Sequence, residues 1–172
     1  GNLDFKTWSD LVYRAYGING GIGIQFVILS LFRDIVFNNV KFFPFLFLFG
    51  DYGSGKTSFV EIILNLFGND TTGTPLNNST STALSRIVNQ RINSIFYFKE
   101  YTKQTDEKTE DFILTAYDGS GRNIGLATSE NKTKSFQVHS GMIFDGNELP
   151  AKKAAIFSRM ILLYFEKQNF TH

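Results

Sequence analysis

The sequence contains no cysteine, three prolines, two histidines and one tryptophan. Without cysteine there is no disulfide, no thiolate metal site and no cysteine nucleophile, a composition that fits a reducing, cytoplasmic setting. His139 and His172 are too few for a histidine metal cluster, and no Ser/His/Asp triad is legible. Charge is also sparse: 19% of residues are charged and the formal net charge is +1. No global basic field advertises nucleic acid, so such binding has to come from a local patch. The longest apolar runs, around Phe26–Phe32 and Phe42–Phe49, fall far short of the ~20 residues a membrane span needs. No segment has the charged start and small-residue cleavage site of a signal peptide, and no membrane partner is expected. The chain stops soon after an apolar run at Met160–Phe165 and reads as a piece of a longer protein.

What is abundant is apolar and aromatic. Residues of the hydrophobic class make up 42% of the 172, with 19 phenylalanines, ample for a packed core and incompatible with wholesale disorder. Apolar residues at helical spacing predict a helix over Phe5–Tyr16, a break at Gly17–Gly21, and a second helix over Ile22–Phe37. Residues 1–41 therefore read as a helical segment preceding a core over 42–172. Pro44–Phe49 is apolar without alternation, the pattern of a strand buried on both faces of a parallel sheet. Lys56–Phe67 reads as a helix closed by Gly68, Asn69–Thr82 as a loop, and Ser81–Asn89 as a short helix. Ile95–Phe98, Gly141–Phe144 and Met160–Phe165 read as strands. A helix is expected near Thr109–Tyr117, and Asp118–Val138 is turn-rich with two extended arms. Strands alternating with helices predict an α/β fold.

The specific signal is Gly50-Asp51-Tyr52-Gly53-Ser54-Gly55-Lys56-Thr57 followed by Ser58, set between the first strand and its helix. Glycines let the backbone turn tightly so that several N–H groups face phosphate oxygens, and the helix that follows presents its positive end to the same anion. Lys56 adds a mobile charge for the β- and γ-phosphates, and Thr57 a hydroxyl for Mg²⁺. This is a P-loop, and ATP with Mg²⁺ is the ligand it implies.

Weaker signals follow in order. Ile95-Phe96-Tyr97-Phe98-Lys99-Glu100 is an apolar strand that delivers an acid, Glu100, to hold Mg²⁺ or orient a water. Lys99 stands where an acid is usual. Asn147, ending Gly141–Asn147, is placed to reach a γ-phosphate or attacking water, though alone it reads as a turn residue before Pro150. Arg159 is suited to spreading transition-state charge, though an isolated arginine is more often a surface residue. Arg122, Lys132 and Lys134 put positive charge on the hairpin region, a local candidate for phosphate-backbone contact or a plain solvated loop.

Other motifs are excluded by a residue. Gly21-Ile22-Gly23 is no dinucleotide fingerprint, because Phe26 occupies the third glycine position. Asp118-Gly119-Ser120-Gly121 imitates a GTPase switch, but the guanine-specifying Asn-Lys-x-Asp is missing, since Asn131-Lys132-Thr133-Lys134 ends in lysine. As a calcium loop it fails at Arg122.

Taken in order, Phe47–Ser58, Tyr97–Tyr101, Leu114–Arg122, Met142–Pro150 and Ala155–Leu162 resemble motif A, motif B, the hairpin region, motif C and the arginine-finger segment of superfamily 3 helicases. These are a branch of the AAA+ P-loop ATPases, and the pattern is most similar to phage and mobile-element primase-helicases. The resemblance covers about residues 42–165. It implies an AAA+ core with a β-hairpin insertion, a ring, commonly a hexamer, with ATP at subunit interfaces, and a role as a replicative motor on single-stranded DNA. In it Lys56, Thr57, Glu100 and Asn147 act from one subunit, Arg159 reaches a neighbour's γ-phosphate, and Lys132 or Lys134 grips DNA. Two departures stand out: Lys99 replaces the first acid of motif B, and Asp145 stands where the family often has Ser or Thr. Two rival readings remain open, a small-molecule phosphotransferase and a nucleotide-gated assembly module with little hydrolysis, the latter favoured by Lys99.

Overall fold

The computed structural model describes residues 3–68, 72–125, 133–150 and 154–167. In chain order its helices are α1 (Phe5–Leu31), α2 (Arg33–Val40), α3 (Lys56–Leu64), α4 (Ser81–Val88), α5 (Glu107–Tyr117) and α6 (Ala154–Phe157). Its strands are β1 (Phe45–Gly50), β2 (Thr74–Pro75), β3 (Ile95–Tyr101), β4 (Ser120–Gly125), β5 (Thr133–Gln137), β6 (Gly141–Gly146) and β7 (Met160–Phe165). Five of them form one parallel sheet in the order β2-β3-β6-β1-β7, while β4 and β5 pair antiparallel as a separate ribbon. This is the α/β parallel-sheet fold with a hairpin insertion that the strand–loop–helix pattern predicts.

The continuous apolar run around β1 has a simple cause. β1 lies between β6 and β7, so both of its faces meet helices and neither can be polar. Successive side chains alternate faces. Phe45 and Phe47 join Leu84, Phe112, Ile113 and Ala116 of α4 and α5. Leu46 and Leu48 join Phe26 and Val27 of α1 and Phe59, Val60 and Ile63 of α3. The sheet is thus sandwiched, and both layers converge on the end of β1 where the glycine loop begins.

Several local expectations are corrected. The break in the first helical stretch is a single kink at Gly17 (φ 57°, ψ −131°) within α1, not a Gly17–Gly21 gap. A left-handed φ of this kind suits glycine, which has no Cβ to clash. The expected helix over Ile22–Phe37 is instead broken at Phe32, where α1 and α2 meet at 85°. No glycine or proline marks that bend. Tertiary contacts hold it: the Asp34 N–H donates to Asn93 Oδ1 at 3.0 Å, and the buried Arg33 guanidinium, which also packs 4.1 Å from the Phe37 ring within α2, reaches to 5.9 Å from the Phe43 ring. Burial pushes the Arg33 pKa down to about 10, with Asp34 pulling the other way. The helix after the glycine loop ends at Leu64 and tightens into a 3-10 turn over Asn65–Phe67 before left-handed Gly68. The expected Asn69–Thr82 loop carries β2. The helix near Thr109 starts earlier, at Glu107, because Asp106 caps it through the Thr109 N–H at 2.9 Å. Among the described residues no single helix is long and apolar enough to cross a membrane.

Candidate functional site

β1 ends at Gly50, α3 begins at Lys56, and the loop between them turns through Gly53 (φ 77°) and Gly55 (φ 91°). Left-handed angles at both positions explain why glycine stands there. Gly55 caps α3 without any side-chain hydrogen bond, so the first N–H groups of the helix remain for an anion. Lys56 is 8% exposed. Its Nζ donates to the Gly50 carbonyl at 2.6 Å, the Asp51 carbonyl at 2.8 Å, Asn147 Oδ1 at 3.1 Å and, at 3.4 Å, Ser54 Oγ. Burial pushes its pKa below the ordinary lysine range, while Asp145 and then Asp51 pull the other way. The lysine thereby couples the loop to the end of β6.

The acidic side of the site comes from β3 and β6. These strands pair in register up to Phe98 and Phe144, then shift, with Tyr101 opposite Gly146. Glu100 lies in that irregularity with φ 65°, a left-handed angle that costs a non-glycine residue about 1–3 kcal/mol and persists only where the surroundings enforce it. Here they do: the Glu100 N–H donates to Asp145 Oδ1 at 2.8 Å, and the Asn77 side chain donates to the Glu100 carbonyl at 3.1 Å. The backbone is clamped on both sides and the exposed carboxylate is left at the cleft.

Asp145 is the residue sequence reasoning undervalued. It is 8% exposed, and its Oδ2 accepts from the Tyr97 phenol at 2.6 Å. The Thr57 side chain lies close to the same phenol. Burial and then Asp145 raise the Tyr97 pKa well above the ordinary tyrosine value, with Thr57 working to lower it, so Tyr97 stays a proton donor. The available signal was an acid on an otherwise apolar strand, since a buried carboxylate requires donors. Asn77 carried no signal, because it lies in a polar stretch with nothing to mark it.

A cleft of about 870 Å³ joins these parts. It is lined by Tyr52 through Ser58, by Asn77, by Lys99 through Thr102 and by Asp145 through Glu148. Of the residues singled out from sequence, it brings together Tyr52, Gly53, Ser54, Gly55, Lys56, Thr57, Ser58, Glu100 and Asn147, while Gly50 and Asp51 are tied in through Lys56. Lys99 lines it too. Among the described residues no group of three or more His, Asp or Glu side chains forms a metal cage. Mg²⁺ needs none, since it typically takes one or two carboxylates with phosphate and water oxygens. The Thr57 hydroxyl and the Glu100 carboxylate offer only hard oxygen donors, a set that fits Mg²⁺, with the Asp145 carboxylate beside them.

The structure does not bring Arg159 to this cleft. Phe45 pairs with Met160 and Gly50 with Phe165, so Arg159 lies at the opposite edge of the sheet from the glycine loop. Six strand residues at ~3.3 Å each put it roughly 20 Å away. Its Nη1 donates to the Ala155 carbonyl at 2.6 Å, and its guanidinium lies 5.0 Å from the Tyr117 ring centre. Arg122 and Lys134 fall on β4 and β5, where the backbone alone is described; Lys132 lies outside the described residues.

The geometry and topology define a P-loop nucleoside-triphosphatase fold. No protein-family model matches the sequence, and no curated protein matches it. Solved structures are similar in fold. The SCCmec type IV Cch active helicase has a TM-score of 0.59 at 14% identity, covering 97% of this chain and 32% of Cch. Thermotoga maritima RuvB, described as a Holliday junction branch migration motor, has a TM-score of 0.51 at 12% identity, covering 88% of this chain and 46% of RuvB. A RuvB point mutant gives 0.53 at 12%, covering 91% and 49%. The chain thus spans about a third to a half of the length of these proteins, and at such identities the likeness is one of fold.

Proposed function

We propose that the chain is an ATP-binding and ATP-hydrolysing motor domain of superfamily 3 type, working in a ring on single-stranded DNA. The observation that carries the nucleotide reading is the convergence of Lys56, Thr57, Glu100 and Asn147 on one cleft. Lys56 and the N–H groups at the start of α3 bind the phosphates. Glu100, exposed at the cleft and clamped in its backbone, accepts a proton from the attacking water or orients it. Asn147, already held by the Lys56 ammonium, fixes the distance between that charge and the γ-phosphate. Bound Mg²⁺ supplies charge neutralisation across the β- and γ-phosphates.

The motor and ring readings rest on the motif order, on the fold shared with Cch and RuvB, and on the place of Arg159. Arg159 immediately precedes β7, at the end of the sheet away from its own loop, so in this reading it serves a neighbouring copy, released from Ala155 and Tyr117. Arg122 of β4 and Lys134 of β5, with Lys132 between them in sequence, supply the charge for DNA in this reading. The rival reading of a nucleotide-gated assembly module keeps one specific support, Lys99 in the cleft in place of an acid.

Phosphate release from ATP, measured with and without single-stranded DNA, tests the proposal. Release that rises severalfold with DNA supports the motor. Nucleotide-dependent oligomerisation without release supports the assembly module.

A further inference from the structure

β3 ends its apolar run on Lys99, so at the position just before Glu100, where P-loop enzymes commonly place a first acid toward Mg²⁺, it carries a lysine. The adjacent strand carries one instead. Tyr97 and Ile143 face the α3 layer of the core, and period-two alternation puts Asp145 on the same face as Ile143. There the Tyr97 phenol donates to Asp145 Oδ2 at 2.6 Å, and the Thr57 side chain lies close enough to the phenol to interact with it.

We propose that Asp145, acting through Tyr97, is the positioning acid for the metal at this site and takes the place of the β3 carboxylate that Lys99 displaces. The inference rests on the nucleotide-binding reading given above. Its physics is directional. The Tyr97 proton is committed to Asp145, so the Tyr97 oxygen can only accept from Thr57. That fixes the Thr57 hydroxyl proton toward the protein and leaves its lone pairs for the metal. The negative charge at Asp145 also polarises the chain, which makes the Thr57 oxygen a better ligand.

A structural role alone would not couple Asp145 to Mg²⁺, so the readout is the ratio of affinities of the full chain for a fluorescent ADP analogue in Mg²⁺ and in EDTA. Partners that orient metal ligands are typically worth 10–100-fold in metal affinity. Asp145→Asn keeps the size and the acceptor for the Glu100 N–H. It is expected to reduce the Mg²⁺ effect by about tenfold or more, with affinity in EDTA held or tightened by loss of a negative charge. Tyr97→Phe is expected to do the same. Lys99→Asp is expected to restore the ratio in Asp145→Asn. An unchanged ratio in Asp145→Asn and Tyr97→Phe overturns the inference. Where Asp145→Asn fails to fold, an unchanged ratio in Tyr97→Phe alone overturns it. If the native chain binds the analogue in neither condition, the nucleotide reading falls and this inference with it.

Discussion

The Lys56 ammonium and the Asn147 side-chain carbonyl, 91 residues apart in sequence, meet at 3.1 Å. The contact joins the loop that follows β1 to the end of β6, and β1 and β6 are paired neighbours in the sheet. Charge for phosphate and a polar group for the γ-position are thus held at one spacing by the sheet itself.

Asn147→Ala separates binding from turnover. Lys56 keeps three other oxygen partners, so it stays in place and nucleotide affinity is expected to change by no more than about threefold. Phosphate release is expected to fall by at least tenfold, the size of one lost transition-state hydrogen bond. Equal losses in affinity and turnover would contradict a role for Asn147 confined to the reacting phosphate.

Glu100 predicts a trade of activity for stability. Its φ of 65° is paid for by the Asp145 and Asn77 clamps, and glycine adopts that angle without strain. Glu100→Gly is expected to stabilise the chain by about 1 kcal/mol and to raise Tm by roughly 2–4 °C. The same variant is expected to abolish hydrolysis. Thermal melting alongside phosphate release checks both, and a destabilised variant would show that the clamps rather than the backbone angle dominate.

Arg159 lies at the sheet edge opposite its own glycine loop, so its contribution is expected in trans. Arg159→Ala is expected to bind ATP normally and to lose turnover. Mixed with Lys56→Ala, which keeps the arginine, it is expected to recover part of the activity, since some interfaces then combine an intact loop with an intact arginine. Mixtures no more active than the separate variants would place Arg159 outside the reaction.

Phe59 anchors the N-terminal helices to the core. It is fully buried, with its ring 4.9 Å from Tyr16 and 5.1 Å from Phe165, and it leaves no room for a side chain at Gly23. Phe59→Ala is expected to cost about 3–5 kcal/mol, lowering Tm by roughly 10 °C.

How much was legible in the sequence depended on whether local chemistry or distant contact decided each feature. β1, α3, β7 and the glycine loop were legible because apolar runs, glycines and the lysine act within a few residues. The bend at Phe32 was not, because the contacts that hold it, from Asn93 to the Asp34 N–H and from Arg33 toward Phe43, lie in tertiary packing. β2 was hidden because two residues, one of them Pro75, carry no period. The same division runs through the site. Lys56 and Glu100 stood out in their motifs. Thr57, Tyr97 and Asp145 meet from three elements, so Tyr97 read only as part of an apolar strand and Asp145 only as a departure from a pattern.

The central claim is that this cleft binds nucleoside triphosphate through Lys56. Equilibrium binding of a fluorescent ATP analogue to the native chain and to Lys56→Ala tests it most directly. A buried ammonium paired with phosphate is worth about 1.5–3 kcal/mol, so the account predicts saturable binding by the native chain that weakens by roughly 10–100-fold in the variant. No saturable binding by the native chain, or binding indifferent to Lys56, would contradict it.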